Sequence, residues 1–289
     1  ITPDIFLQKL PETTHLSVAD TDYLKELFVE QGLSVTALNN YLTCPWNFFY
    51  SNLIRIPKIP NKHMVFGTII HRALNSFFGG KEVGTKETLL SSFKEALERT
   101  ALSGAAYTEI EERGVEALTG WFDEYEGIWT KETLNEYRVN SVVELPLEEL
   151  PQLRVRGDLD KLEIYPDGVT VVDYKTGAPK SRNHLLGNTK AKGSGNYFRQ
   201  LVFYKMLLDA EGKHVMKRGL IDYIQPKKTN GKYVTEMFDI TGVEVDSVMK
   251  EITQMTKEVL SMSFWDTRCD EYKKGKGDCE YCSLRDLMQ

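Results

Sequence analysis

The sequence predicts an α/β fold, a central mixed β-sheet flanked by helices, with a helical N-terminal region and a helical insert. Three observations predict it. β-Branched residues crowd the stretch 139–175 (Val142-Val143, Val155, Ile164, Val169 to Val172) around a Pro166-Asp167-Gly168 turn. Helical patterning precedes that block from about 66 to 137 and follows it at 197–210 and 244–261. Two further strand signals, near 219–225 and 232–238, extend the sheet.

Each element has a local reason. Residues 18–31 read as a helix with Gly32 just past its end. Ser34 is placed to cap a short helix carrying Leu38, Tyr41 and Leu42 on one face, which Pro45 stops. Trp46, Phe48, Phe49 and Tyr50 form an aromatic cluster suited to core packing. Pro57 and Pro60 mark a loop that leads to Gly67, where a helix through His71 is expected to open. Helices near 86–100 and 107–130 follow, punctuated by Gly79-Gly80 and Ser103-Gly104. The polar, glycine-bearing stretch 178–196 is expected to be a mobile loop. The chain divides into a tether and helix at 1–33 and one domain over 34–289. Within that domain the core is 139–240, the helical part 66–137 and a cysteine-bearing tail 262–289.

With 41% hydrophobic and 11% aromatic residues, the 289-residue chain is globular rather than disordered. It has no run of 18 apolar residues, so no membrane span is expected. The start Ile1-Thr2-Pro3-Asp4 has neither Met nor a signal pattern, which points to a piece of a longer, cytoplasmic polypeptide. No G-x4-G-K-[S/T] sequence occurs, so the chain carries no P-loop motor of its own. A net charge of −6 argues at first against a nucleic-acid partner. Its distribution reverses that impression: residues 174–235 hold 13 Lys or Arg against three acids, a balance of +10, and the remainder carries −16. A phosphate backbone is expected along that basic stretch, with Lys180, Arg182, Lys190, Lys192 and Arg199 as candidate contacts; a merely solvated face is the alternative.

The chemistry concentrates in Gly157-Asp158-Leu159-Asp160-Lys161 and Val171-Val172-Asp173-Tyr174-Lys175-Thr176-Gly177. In a strand, Asp173 and Lys175 project from one face, because side chains alternate with period 2. A two-residue loop at Pro166-Asp167 pairs Tyr165 with Gly168 and puts Asp160 opposite Asp173; a three-residue loop would slip the register by one. Carboxylates so placed can hold a divalent ion, which supplies what phosphodiester hydrolysis needs: a nucleophile from water, charge neutralisation and leaving-group help. Hard oxygen donors favour Mg²⁺. An isolated Asp-x-Lys is more often a surface ion pair on a hairpin, so the rest of the chain has to decide.

Gly67-x3-His71, Gly157-x2-Asp160-Lys161, Asp173-Tyr174-Lys175-Thr176-Gly177 and Gln200-x3-Tyr204, in that order, resemble the RecB/AddB-like branch of the PD-(D/E)XK nuclease superfamily over roughly residues 34–288. The resemblance implies a restriction-endonuclease-like core and a Mg²⁺- or Mn²⁺-dependent deoxyribonuclease, exo- or endonucleolytic, acting on single-stranded DNA. It implies Asp160, Asp173, the Tyr174 backbone carbonyl and His71 as metal ligands, the imidazole making Mn²⁺ more acceptable. Lys175 then orients or deprotonates the attacking water, and Gln200 bonds near Lys175 or the DNA backbone. Tyr204, one turn on from Gln200, either joins them or packs in the core. Two further acids stand near the motifs without an assigned role: Asp158, on the strand face of Asp160, and Glu144, a match to a weaker acidic position of some relatives. The implied setting is the nuclease domain of a RecB/UvrD-like helicase–nuclease in recombination and repair, with a superfamily 1 helicase motor as partner. A stand-alone exonuclease of the CRISPR-adaptation type is the nearest alternative. A retired, non-catalytic DNA-binding module is another, although such a relative is expected to lose Asp160, Asp173 or Lys175.

Four cysteines are few for a disulfide scaffold. Cys269, Cys279 and Cys282 crowd the last 21 residues, and Cys44 stands alone before Pro45. The same resemblance implies a [4Fe–4S] cluster held by one cysteine before the nuclease core and three after it. Cys44 and the Cys279-x2-Cys282 pair match that pattern, Met288 stands where the last ligand is expected, and Cys269 is left to replace it. Four thiolates suit a cluster or zinc, and unligated structural thiols are the third reading. A metal there would pin the N-terminal segment to the C-terminus across the core.

Overall fold

The computed structural model describes residues 20–80, 84–130, 132–273 and 279–287. Most of the N-terminal tether and Met288 lie outside them.

Helix α1 (Thr21–Gln31) starts at Asp20, whose carboxylate accepts the N–H groups of Asp22 and Tyr23, and ends at Gly32 with φ 66°. Helix α2 (Val35–Thr43) is capped by the Ser34 hydroxyl. Pro45 does more than stop α2: it occupies the first turn of α3 (Pro45–Phe48), where its missing N–H costs nothing, and the chain continues as one π-turn over Phe49–Leu53. Helix α4 (Lys62–Phe78) begins before the expected opening at Gly67, because the Asn61 side chain already caps His63 and Met64. Gly67 therefore lies inside the helix. Helix α5 spans Lys86–Glu98 and α6 spans Gly104–Tyr125; α6 starts earlier than 107 because Ser103 caps it.

Strands β1 (Thr133–Glu144), β2 (Gln152–Tyr165) and β3 (Gly168–Lys175) follow, then α7 (Arg182–Leu185), α8 (Asn196–Glu211), β4 (Met216–Tyr223) and β5 (Thr235–Asp239). The chain closes with α9 (Gly242–Leu260), a 3₁₀ turn at Ser263–Asp266, α10 (Asp270–Lys273) and α11 (Glu280–Asp286). The sheet order is β1-β2-β3-β4-β5, antiparallel except for β3 and β4. That parallel pair requires a crossover, and α7 and α8 supply it. This is the mixed sheet flanked by helices that the patterning predicts.

Two apolar layers sandwich the sheet. Val169 and Val171 face α8 and α9 with Leu201, Leu207 and Ile252; Val172 and Tyr174 face α4, α5 and α6 with Phe66, Ile70 and Trp121. Strand β3 is thus buried on both faces, and its Asp173 and Lys175 share the Val171 face, toward α8. The β2–β3 hairpin has the even register, from Tyr165↔Gly168 to Lys161↔Val172. The stretch 178–196 is not a loose loop. Ser181 caps α7, and the carbonyl of His184 accepts from Gly195 N–H at 2.8 Å and Ser194 Oγ at 3.2 Å. Gly187 and Gly195, with φ 84° and 86°, let the middle of the stretch close against its end. No helix of the described residues is long and apolar enough to cross a membrane.

Candidate metal and catalytic site

The site forms where both helical layers reach the carboxyl end of β3. From one layer, α4 delivers His71, whose Nδ1 lies 3.0 Å from Asp160 Oδ1. Gly67, one turn earlier, allows this approach: a Cβ there would meet Thr176 Oγ1 at 3.2 Å. The second carboxylate oxygen of Asp160 accepts the Tyr174 N–H at 2.8 Å, so the side chain takes over a bond just past Lys161↔Val172, where the β2–β3 pairing stops. From the other layer, α8 delivers Gln200 and Tyr204. Gly157 permits that packing, since a Cβ would stand 2.7 Å from Leu207 Cδ1.

Lys175 Nζ lies 2.5 Å from Asp173 Oδ2 and donates to Gln200 Oε1 at 2.8 Å. Gln200 Nε2 donates to Tyr204 Oη at 2.6 Å, and Tyr204 Oη donates to the Asp158 carbonyl at 3.2 Å. The ammonium also stands 4.4 Å from the Tyr197 ring centre. Burial pushes the Asp173 carboxyl up to about 6, although the Lys175 charge pulls it down. Burial, the largest influence, acts to lower the Lys175 ammonium, but the charge and hydrogen bond of Asp173 with the nearby Tyr197 and Asp160 together outweigh it, and the net direction is upward. His71 behaves alike: burial opposes its protonated form, and the hydrogen bond and charge of Asp160 more than offset that.

Sequence reasoning missed one residue. Glu136 of β1 lies between the ladder pairs Asn135↔Lys161 and Tyr137↔Leu159, across from Asp160. Donor atoms of His71, Glu136 and Asp160 all lie within 4.8 Å of one another. Its φ of 48° is a left-handed conformation that a glutamate adopts only at a cost of about 1–2 kcal/mol. No motif spacing marks it; only the β1–β2 register brings it to Asp160. Glu144, by contrast, sits at the far end of β1, bonded to Gln152 at 2.7 Å. Asp158 pairs with Arg138 on the surface at 2.7 Å.

The donor set fits a divalent cation. It offers one imidazole and hard carboxylate oxygens, the mixture that Mg²⁺ and Mn²⁺ accept. Asp173 Oδ2 is buried against the Lys175 ammonium, 2.5 Å away, while His71, Glu136 and Asp160 are the three donors that converge.

A second cluster lies away from this site. Cys44, Cys269, Cys279 and Cys282 converge with all sulfurs within 4.8 Å of one another, at 3.6 Å for Cys44–Cys282 and Cys44–Cys279 and 3.7 Å for Cys269–Cys282. Four buried, unbridged thiols around one point are a metal donor set. The shorter spacings match the edge, about 3.8 Å, of a tetrahedron with metal–sulfur bonds near 2.3 Å. Sulfurs bound to four different irons of a cubane must stand farther apart.

Of the basic residues, Arg199 forks onto Glu251 at 2.7 and 3.2 Å and reaches Asn39 at 2.9 Å. Arg182 pairs with Glu236 at 2.8 Å and lies over the Phe238 ring. Each is thus engaged with a carboxylate of the protein itself. Lys180, Lys190 and Lys192 are exposed.

The family model described as the PD-(D/E)XK nuclease superfamily matches residues 32–287. No curated protein matches the chain. Among solved structures, one described as the crystal structure of SSO0001 is 11% identical, covering 84% of this chain and 86% of that one, with a TM-score of 0.30. The protein VC1899 from Vibrio cholerae is 12% identical, covering 83% and 56% of the respective chains, with a TM-score of 0.21.

Proposed function

Because the chain belongs to the PD-(D/E)XK nuclease superfamily, we propose that it hydrolyses phosphodiester bonds of single-stranded DNA at the His71–Glu136–Asp160–Asp173–Lys175 cluster. One observation carries the reading: a carboxylate–imidazole pair from α4 and β2 stands beside a carboxylate–ammonium pair of β3 that α8 braces. His71, Glu136, Asp160, Asp173 and the Tyr174 carbonyl would hold Mg²⁺ or Mn²⁺. The ion supplies Lewis acidity and a water of lowered pKa.

The protein's own groups do the rest. Lys175, held between Asp173 and Gln200, donates to the attacking water or to the phosphoryl oxygens and offsets the charge that builds there. Gln200 fixes the direction of the ammonium, and Tyr204 fixes which end of the Gln200 amide faces it. The domain over 34–289 is read as the nuclease of a cytoplasmic helicase–nuclease, served in repair and recombination by a superfamily 1 motor. The four cysteines are read as a structural metal site. The order of motifs suggests [4Fe–4S], and the 3.6–3.7 Å sulfur spacings favour a single tetrahedral ion such as zinc.

The deciding experiment compares the wild type with Asp173→Ala on a single-stranded oligonucleotide in Mn²⁺. Cleavage that falls at least 100-fold is the expected result. Equal cleavage by both proteins defeats the assignment.

A further inference from the structure

We propose that the groove between the start of α2 and the β1–β2 hairpin holds the phosphodiester backbone of the substrate strand beside the reacting phosphate. This rests on the nuclease reading of the adjoining site. The groove encloses about 490 Å³, and Gln200 and Tyr204, which brace Lys175, wall it. Away from them it is lined by Thr36, Arg138, Asn140 and Arg156. A smaller hollow of about 60 Å³ shares Ser34 and Arg156 with it and adds Arg55. The larger hollow begins at the catalytic lysine's support, and Arg156 lines both.

Charge identifies the occupant. Arg55, Arg138 and Arg156 line the two hollows against a single carboxylate, Asp158; Arg138 is paired with it at 2.7 Å, which leaves Arg55 and Arg156 as the surplus positive charge. The exposed Arg156 guanidinium has no hydrogen bond or ion pair among the described residues, unlike Arg182 and Arg199. An unpaired guanidinium beside hydroxyl and amide groups is an anion site, and its planar fork matches a phosphodiester. The walls offer no open aromatic face for a base: Phe28 and Phe48 are buried and the Tyr204 hydroxyl is engaged. A grip by Arg, Asn, Ser and Thr holds the backbone without reading sequence.

Position points the same way. Arg156 pairs with Asn140 in the β1–β2 ladder, four residues before Asp160. At about 3.3 Å per residue this is roughly 13 Å. That is too far to touch the reacting phosphate and close enough to hold one of a neighbouring nucleotide.

The test uses the whole chain and a fluorescein-labelled oligothymidylate, with anisotropy titrations in Ca²⁺ at several salt concentrations. Hydrolysis of bis(p-nitrophenyl) phosphate, too small to reach the groove, is measured alongside. Arg156→Glu should weaken oligonucleotide binding on the order of ten-fold and flatten the log–log salt slope by about 1. It should leave hydrolysis of the small diester unchanged. Arg156→Lys should keep most of the affinity, and equal melting temperatures for the variants confirm that they are folded. Lys94→Glu, on α5, is the control for bulk charge. Unchanged affinity and slope in Arg156→Glu, or an equal loss in Lys94→Glu, overturns the groove. A wild type that hydrolyses neither substrate, yet loses binding on Arg156→Glu, sinks the nuclease reading and leaves the groove standing.

Discussion

Replacing Gln200 with leucine tests whether the relay behind Lys175 matters to chemistry. The side chain accepts from the Lys175 ammonium at 2.8 Å and donates to Tyr204 at 2.6 Å, between β3 and α8. A hydrogen bond to a charged group contributes about 1.5–3 kcal/mol. If that bond holds the ammonium where it meets the phosphoryl oxygens, Gln200→Leu should lower kcat about 10–100-fold. Metal affinity should stay unchanged, because Gln200 is not among the donors. Tyr204→Phe removes the bond that orients the amide, a neutral one contributing about 1 kcal/mol, together with the hydroxyl's bond to the Asp158 carbonyl, which does not touch Gln200, so a loss near five-fold in kcat is expected. Since the second bond acts through the first, the double variant should be hardly worse than Gln200→Leu alone, with a coupling of about 1 kcal/mol. Single-turnover cleavage of a labelled single strand at saturating Mn²⁺ measures all four corners of the cycle. Additive losses, or a Gln200→Leu enzyme within two-fold of wild type, would refute the relay.

Three further outcomes follow from the geometry. Glu136→Gly should relieve the strain of φ 48° and raise the melting temperature slightly while lowering Mn²⁺ affinity and activity; undiminished affinity by calorimetry would remove Glu136 from the metal site. Burial pushes Asp222 up to about 6 against its Trp121 hydrogen bond, so the native carboxyl binds its proton more tightly than the unfolded one does at 3.8. Its stabilising contribution is complete below pH 3.8 and disappears as pH rises through about 6, so Asp222→Asn should gain about 1–3 kcal/mol over wild type at pH 8 and little at pH 4. Urea midpoints that differ equally at both pH values would contradict this. Cys279→Ala should lower both the melting temperature and the bound metal of anaerobically purified protein, iron with a brown colour marking a cluster and one colourless zinc a tetrahedral ion. Protein holding neither metal would reduce the four cysteines to packed thiols.

What the sequence determined by itself was local. Period-2 alternation put Asp173 beside Lys175, the two-residue loop set the hairpin register, and Ser34 capped α2, because each depends on contacts a few residues apart. The order of motifs also anticipated that His71 and Gln200 would arrive from separate helices, and that four cysteines would meet across the chain. Tertiary structure decided the rest. Glu136 joins Asp160 only through strand pairing and an unfavourable backbone angle, neither of which leaves a mark on neighbouring residues. Arg182 and Arg199 stand in a basic stretch of sequence, and β5 and α9 bring Glu236 and Glu251 to them. Arg156, outside that stretch, is left as an unpaired guanidinium at a groove. Charge composition counts ions along a chain, but which of them remain unneutralised depends on packing that brings distant carboxylates within about 3 Å.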